Sequence, residues 1–306
     1  MVKKELKQKI RAIILSVMLS VTAMASFSTT PLSAAQTDRQ QGVNIVSPEF
    51  PDAYIIVNEK TSKYNCRGGN QDLGTVTATV FVEEEYARAG NEVVVTSSRL
   101  MSKEEVKKIG ESNFGNIDRS LKGKAASQSR GKLTITFSGT GSHTKSSSNY
   151  HLTGKASWSG NHNNLNSSGT PSVGNDYMGI AWSGGFSYSK PSCTGTMAPL
   201  SGKAKIYTAD SSPNAGIVWE FMEYANAAGK YQIYVNNVNA SVDISKKKLE
   251  GNGNTAQAVL KYIHTYQSTT GSISISASSS GVGAGFSLSS TSKQWSIITT
   301  VNELYY

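Results

Sequence analysis

Thr270–Ser290 reads TGSISISASSSGVGAGFSLSS. Ile273, Ile275 and Ala277 share one parity of its first run, and Val282, Ala284, Phe286 and Leu288 share one parity of its second. The positions between them are Ser or Gly. Side chains alternate across a strand with period two, so each run presents one apolar face and one hydroxyl face. Ser278-Ser279-Ser280-Gly281 supplies a turn, and the stretch predicts a β-hairpin. It is also uncharged: no Asp, Glu, Lys or Arg occurs between Lys261 and Lys293.

Outward from this hairpin the chain keeps the same period. Lys132–Ser138 (KLTITFS) alternates cleanly and pairs in prospect with Tyr150–Ser159. Thr75–Val82 and Glu92–Thr96 flank an Ala-Gly-Asn turn and predict a second hairpin. Tyr54–Val57, Tyr177–Tyr188, Lys203–Thr208, Gly216–Tyr224, Lys230–Val235, Ala240–Ile244 and Trp295–Val301 read as further strands. Thr255–Tyr266 joins them, because its β-branched and aromatic residues favour strand over helix. Ser102–Ser112 is the exception. Ser102 and Glu105 have capping-box spacing, Met101 and Val106 are placed as a hydrophobic staple, and Val106 with Ile109 forms an apolar stripe. The fold predicted is all-β: an antiparallel β-sandwich or an elongated β-rich assembly of hairpins, with one short helix at about 102–112. It forms either one assembly or two lobes, 51–200 and 201–306.

The first 35 residues read as a leader. Lys3, Lys4, Lys7, Lys9 and Arg11 precede the apolar run Ala12–Ala25, and Ser33-Ala34-Ala35 fits a small-residue cleavage site, with Ala25 as the earlier option. The run is too short to span a bilayer, which needs about 20 apolar residues. The expectation is a secreted, extracellular chain with a polar, loosely ordered leader over 36–50. Two cysteines, Cys66 and Cys193, are expected to pair in an oxidising compartment.

The whole chain carries a formal charge of +9, and the block 119–208 holds ten basic residues and one acid, Asp176. This block is rich in Ser, Gly and Asn. Lys132 and Lys155 lie in it, interleaved with Trp158, Tyr177 and Trp182. Cations beside aromatic rings suit anionic envelope polymers, lipid headgroups or glycans, and these five residues are the expected surface-binding set. Nucleic acid is not an expected partner outside the cell.

Catalytic signatures are sparse. The four histidines, His143, His151, His162 and His264, match no zinc spacing, no phosphate-cradling Gly loop is present, and no metal or cofactor is expected. Gly-x-Ser-x-Gly is absent. Asp176 and Glu220 are the weak candidates for a carboxylate pair, and Glu83-Glu84-Glu85 reads as a solvated turn.

Three functions fit these observations. The first is a non-enzymatic exported protein that binds an anionic surface through the cationic block. The second is a β-hairpin pore former or antibacterial toxin that oligomerises and uses Ile273, Ile275, Phe286 and Leu288 as its lipid face. The third is an extracellular glycan hydrolase. Non-enzymatic readings are favoured.

Overall fold

Leu133, Ile135 and Phe137 are fully buried, while Thr134 and Thr136 between them are half-buried. This is the alternation expected of a strand with one face in a core, and the fold repeats it on strand after strand. The computed structural model describes residues 45–60, 69–89, 92–114, 128–144, 146–159, 174–198, 202–222, 224–227, 231–247, 254–266, 271–277, 284–290 and 293–306.

Seventeen strands are described. They are β1 (Ile45–Val46), β2 (Ile55–Lys60), β3 (Gly69–Ala89), β4 (Glu92–Leu100), β5 (Gln128–His143), β6 (Ser147–Ser159), β7 (Asn175–Trp182), β8 (Ser187–Ala198), β9 (Gly202–Lys203), β10 (Ile206–Ser212), β11 (Gly216–Met222), β12 (Tyr224–Ala227), β13 (Tyr231–Lys247), β14 (Thr255–Thr265), β15 (Gly271–Ala277), β16 (Ala284–Ser290) and β17 (Gln294–Tyr305). All pair antiparallel. One sheet runs β2-β3-β5-β6-β13-β8-β9, with β4 added to β3 and β12 to β13. A second runs β1-β17-β14-β7-β11-β10. The third is the hairpin β15-β16 alone. Strands from both sides of residue 200 share both large sheets, and residues 40–306 cluster as one unit.

The two large sheets face each other across the main core. Leu133, Ile135, Phe137, Leu152, Val238, Val242 and Ile244 come from one sheet, and Met178, Ile180, Trp182, Trp219, Leu260, Tyr262 and Ile297 from the other. Burial on that scale stabilises by ~1.5–3 kcal/mol for each large apolar side chain, before conformational entropy is subtracted. Outside the core, threonine ladders line the nine-stranded sheet: Thr77 meets Thr136 at 3.2 Å and Thr79 meets Thr134 at 3.1 Å. Such cross-strand pairs favour the observed register.

The helix α1 (Lys103–Ile109) closes one end of β4. Its capping box is formed: the Glu105 amide donates to Ser102 Oγ, and Glu105 Oε2 accepts from the Ser102 amide at 2.9 Å. Val106 buries in a small cluster with Phe81, Met101 and Phe114. Gly110, at φ +88°, ends the helix in a conformation that disfavours any side chain.

Four expectations need correction. The segment Tyr177–Tyr188 is two strands, because Gly184 and Gly185 both adopt positive φ and turn the chain from the six-stranded sheet into the nine-stranded one. Ala240–Ile244 is the continuation of the 17-residue β13 rather than a separate strand. Glu83 and Glu84 are buried within β3, and only Glu85 is exposed. Glu83 is held there by two guanidinium groups, Arg99 at 2.6 Å and Arg130 at 2.9 Å. The last residues of the polar leader are also ordered: Ile45 and Val46 pair with β17, and Glu49 accepts from the Ser296 amide at 3.0 Å. Residues 1–44 lie outside the described residues.

Ser102→Ala removes the hydroxyl half of the capping box, the acceptor of the Glu105 amide, and leaves the backbone amide at position 102 donating to the Glu105 carboxylate. It should lower stability by about 1 kcal/mol, read as a shift of the urea midpoint at unchanged m-value.

Candidate functional site

The register of β15 and β16 sets opposite each other Ile273 and Leu288, Ile275 and Phe286, Ser274 and Ser287, and Ser272 and Ser289. Directly opposed residues share a face, so the apolar residues form one side of the hairpin and the serines the other. Phe286 and Leu288 are buried, Ile273 and Ile275 are half-buried, and Ser272, Ser274, Ser276, Ser287 and Ser289 are exposed. The apolar side packs on the six-stranded sheet through Tyr177 of β7, Val218 of β11 and Ile263 of β14.

That sheet is therefore covered twice. Met178, Ile180 and Trp182 of β7 face the main core, and Tyr177 faces the hairpin. Every residue of β7 after Asn175 is buried as a result. Gly179 makes the contact possible. A Cβ there would lie 2.6 Å from Phe286 Cε1 and 2.8 Å from Val218 Cγ2. The absent side chain is the notch that the Phe286 ring fills.

Polar contacts fix the hairpin in place. Lys261 Nζ donates to the Phe286 carbonyl at 2.9 Å and lies 5.6 Å from the centroid of its ring. Burial pulls the Lys261 ammonium below the usual lysine pKa, and the field of Glu49 opposes that shift. Gln294 Nε2 donates to the Leu288 carbonyl at 3.4 Å. At the hairpin's root the Tyr266 amide donates to the Lys293 carbonyl at 3.2 Å, joining the segment that leads in to the one that leads out.

Next to this root lies a buried polar network. His264 Nδ1 is 3.2 Å from Asp176 Oδ2, and its Nε2 is 3.0 Å from Glu84 Oε1. All three side chains are at most 2 % exposed. Asp176 also accepts from the Thr265 amide at 3.0 Å and from the Tyr262 hydroxyl. Trp158 Nε1 donates to that hydroxyl at 2.9 Å, and Trp295 Nε1 donates to Ser98, which reaches Glu84. Each ring nitrogen of His264 therefore faces one carboxylate oxygen. The network thereby crosses from β3, β4 and β6 of one sheet to β7, β14 and β17 of the other.

These positions revise the expected sites. Asp176 pairs in register with Phe221, whereas Glu220 pairs with Tyr177. The two acids therefore occupy opposite faces of the six-stranded sheet and do not converge on a substrate. Trp158, Tyr177 and Trp182 are all buried: the first in the polar network, the second beneath the hairpin, the third in the main core with its Nε1 donating to the Phe186 carbonyl at 2.7 Å. Lys155 is exposed on β6, and Lys132 is half-buried with its Nζ 5.6 Å from the Phe81 ring. The five residues expected to bind a surface do not share one. Cys193 carries a free, half-buried thiol, whose pKa burial pushes up to about 12. Cys66 lies outside the described residues. The four hairpin residues Ile273, Ile275, Phe286 and Leu288 do lie together on one face.

Sequence reasoning missed the platform under the hairpin. Its signal was present in β14, where Val259 and Ile263 are as apolar as Leu260 and Tyr262 on the other parity. A strand apolar on both faces is covered on both. No family model matches the sequence, and comparison with curated proteins finds no match.

Two substitutions test this arrangement. His264→Ala strips the buried carboxylates of their shared partner and should cost about 3–5 kcal/mol, measured by urea denaturation. Gly179→Val fills the notch and should raise the hydrogen-exchange rate of amides in 271–277 and 284–290 while β5 and β6 stay protected. Unchanged exchange in the hairpin would mean that the notch does not hold it.

Proposed function

We propose that this is a secreted pore-forming protein that inserts β15 and β16 into a membrane after release from the six-stranded sheet. The observation that supports the reading is the stowed hairpin itself. It is uncharged and two-faced, and it forms no backbone ladder with either large sheet among the described residues.

The energetics of transfer favour such a use. A two-stranded hairpin is marginal alone in water, so it depends on its platform. Burying Phe286 and Leu288 stabilises the docked state by ~1.5–3 kcal/mol each. Lipid can replace that burial side chain for side chain, because it is as apolar as the platform. The serines lose nothing if they stay against water. Transmembrane β-barrels have this alternation, apolar outward and polar inward. A spanning strand takes about 9–11 residues. Each strand here has seven, and the uncharged sequence on both sides of it supplies the remainder. One hairpin cannot span alone, since its edges would leave backbone groups unpaired in hydrocarbon. Several copies must therefore close a barrel.

The leader over 1–35, removed after Ala35 or Ala25, would deliver the chain outside the cell. The initial contact with a membrane is assigned to exposed lysines such as Lys155, Lys190, Lys203 and Lys205, which suit anionic headgroups.

The test is dye release from neutral and anionic vesicles by the mature chain, at low and high salt. Release is expected, and Ile275→Arg and Phe286→Arg should each reduce it at least about tenfold, since an arginine on the lipid face of a barrel costs roughly 2–4 kcal/mol at mid-membrane. Near-UV circular dichroism verifies that both variants fold. Salt-sensitive binding to anionic vesicles without release would instead support a surface-binding protein that uses lysines alone.

A further inference from the structure

We infer that the pore is lined by hydroxyl groups without charge and therefore conducts cations, anions and small neutral solutes with little discrimination. This inference rests on the pore-forming reading and adds what the pore carries.

The water-facing side of the hairpin is fixed by its register. Ser272 opposes Ser289, Ser274 opposes Ser287, and Ser276 opposes Gly285. All of these serines are exposed, and a Cβ built on Gly285 meets nothing within 4 Å. When the opposite face turns to lipid, the serine face must turn to the lumen, because successive side chains of a strand cannot share a side. Each copy then contributes the same three rungs, and a closed ring of copies stacks them as bands of hydroxyls.

Charge selectivity in channels comes from rings of charged side chains or from ordered carbonyl dipoles. Neither is available on this face. A serine hydroxyl is both donor and acceptor and rotates freely, so it solvates either sign of ion. The nearest charges in sequence are Lys261 and Lys293, which bracket the uncharged run at its two ends. Lys293 is exposed. Its field at the rungs is screened over a Debye length of about 10 Å at 0.1 M salt, which leaves at most a slight preference for anions.

The inference is tested by reversal potentials of wild-type pores in planar bilayers under a KCl gradient. The expected ratio of potassium to chloride permeability lies within about threefold of unity. Ser274→Asp places a ring of carboxylates on the central rung and should raise that ratio at least about tenfold in favour of potassium. Should that variant fail to assemble, Ser274→Cys keeps the size of the side chain. After pores form, a negatively charged methanethiosulfonate reagent should shift the ratio in the same direction. Wild-type pores treated alike are the control for Cys66 and Cys193.

Wild-type currents with strong selectivity for one ion overturn the inference while leaving the pore intact. So does a ratio that neither the Asp side chain nor the labelled Cys moves, since the serine face would then not line the lumen. Absence of any wild-type current overturns the pore-forming reading itself.

Discussion

A histidine held between two buried carboxylates is the interaction on which the rest of this structure depends. Glu84 stands on the nine-stranded sheet, Asp176 and His264 on the six-stranded one, so the sheets are joined by a directional contact as well as by apolar packing. Apolar side chains alone would let the sheets slide, because dispersion and hydrophobic burial have no preferred direction. Polar groups in a core carry a desolvation cost, and only well-placed partners offset it. Here Tyr262, Thr265, Ser98, Trp158 and Trp295 complete the set, and the relative position of six strands is thereby specified.

The same network sits one residue from the hairpin's root. His264 and Thr265 end β14, Trp295 is the second residue of β17, and its ring lies 4.9 Å from the His264 ring. The hairpin thus departs from the most firmly specified point of the fold. The contacts of the hairpin itself are of another kind: one ring in a glycine notch, three aliphatic side chains on a sheet, and two side-chain donors to its backbone.

The all-β class was legible in the sequence because period-two alternation is a local property. The hairpins at 132–159 and 270–290 and the capped helix after Ser102 could be read from neighbours alone. Strand length was less legible. β3 and β13 continue through Asp72 and Asn236, polar residues that in isolation look like ends, and only the ladder on either side shows otherwise. The break inside 177–188 turned on two glycines whose φ values no pattern of polarity reveals. Site residues fared worst where their reading required knowledge of a face. Trp158 and Trp182 were assigned to a surface by their neighbours' charge, yet they belong to the core. Asp176 looked like an isolated acid because its partners, His264 and Glu84, lie 88 and 92 residues away along the chain. The hairpin's two faces were readable because both are encoded in one short stretch.

The side-chain bonds to the Phe286 and Leu288 carbonyls have a consequence for strand pairing between molecules. Carbonyls two residues apart point to the same side of a strand. Lys261 and Gln294 therefore occupy acceptors along one border of β16. An unprotected border of that kind is a template for another chain. The same contacts that hold the hairpin down also shield this border from pairing with another chain. Storage and solubility are then one device, and a variant that loosens the first is expected to forfeit the second.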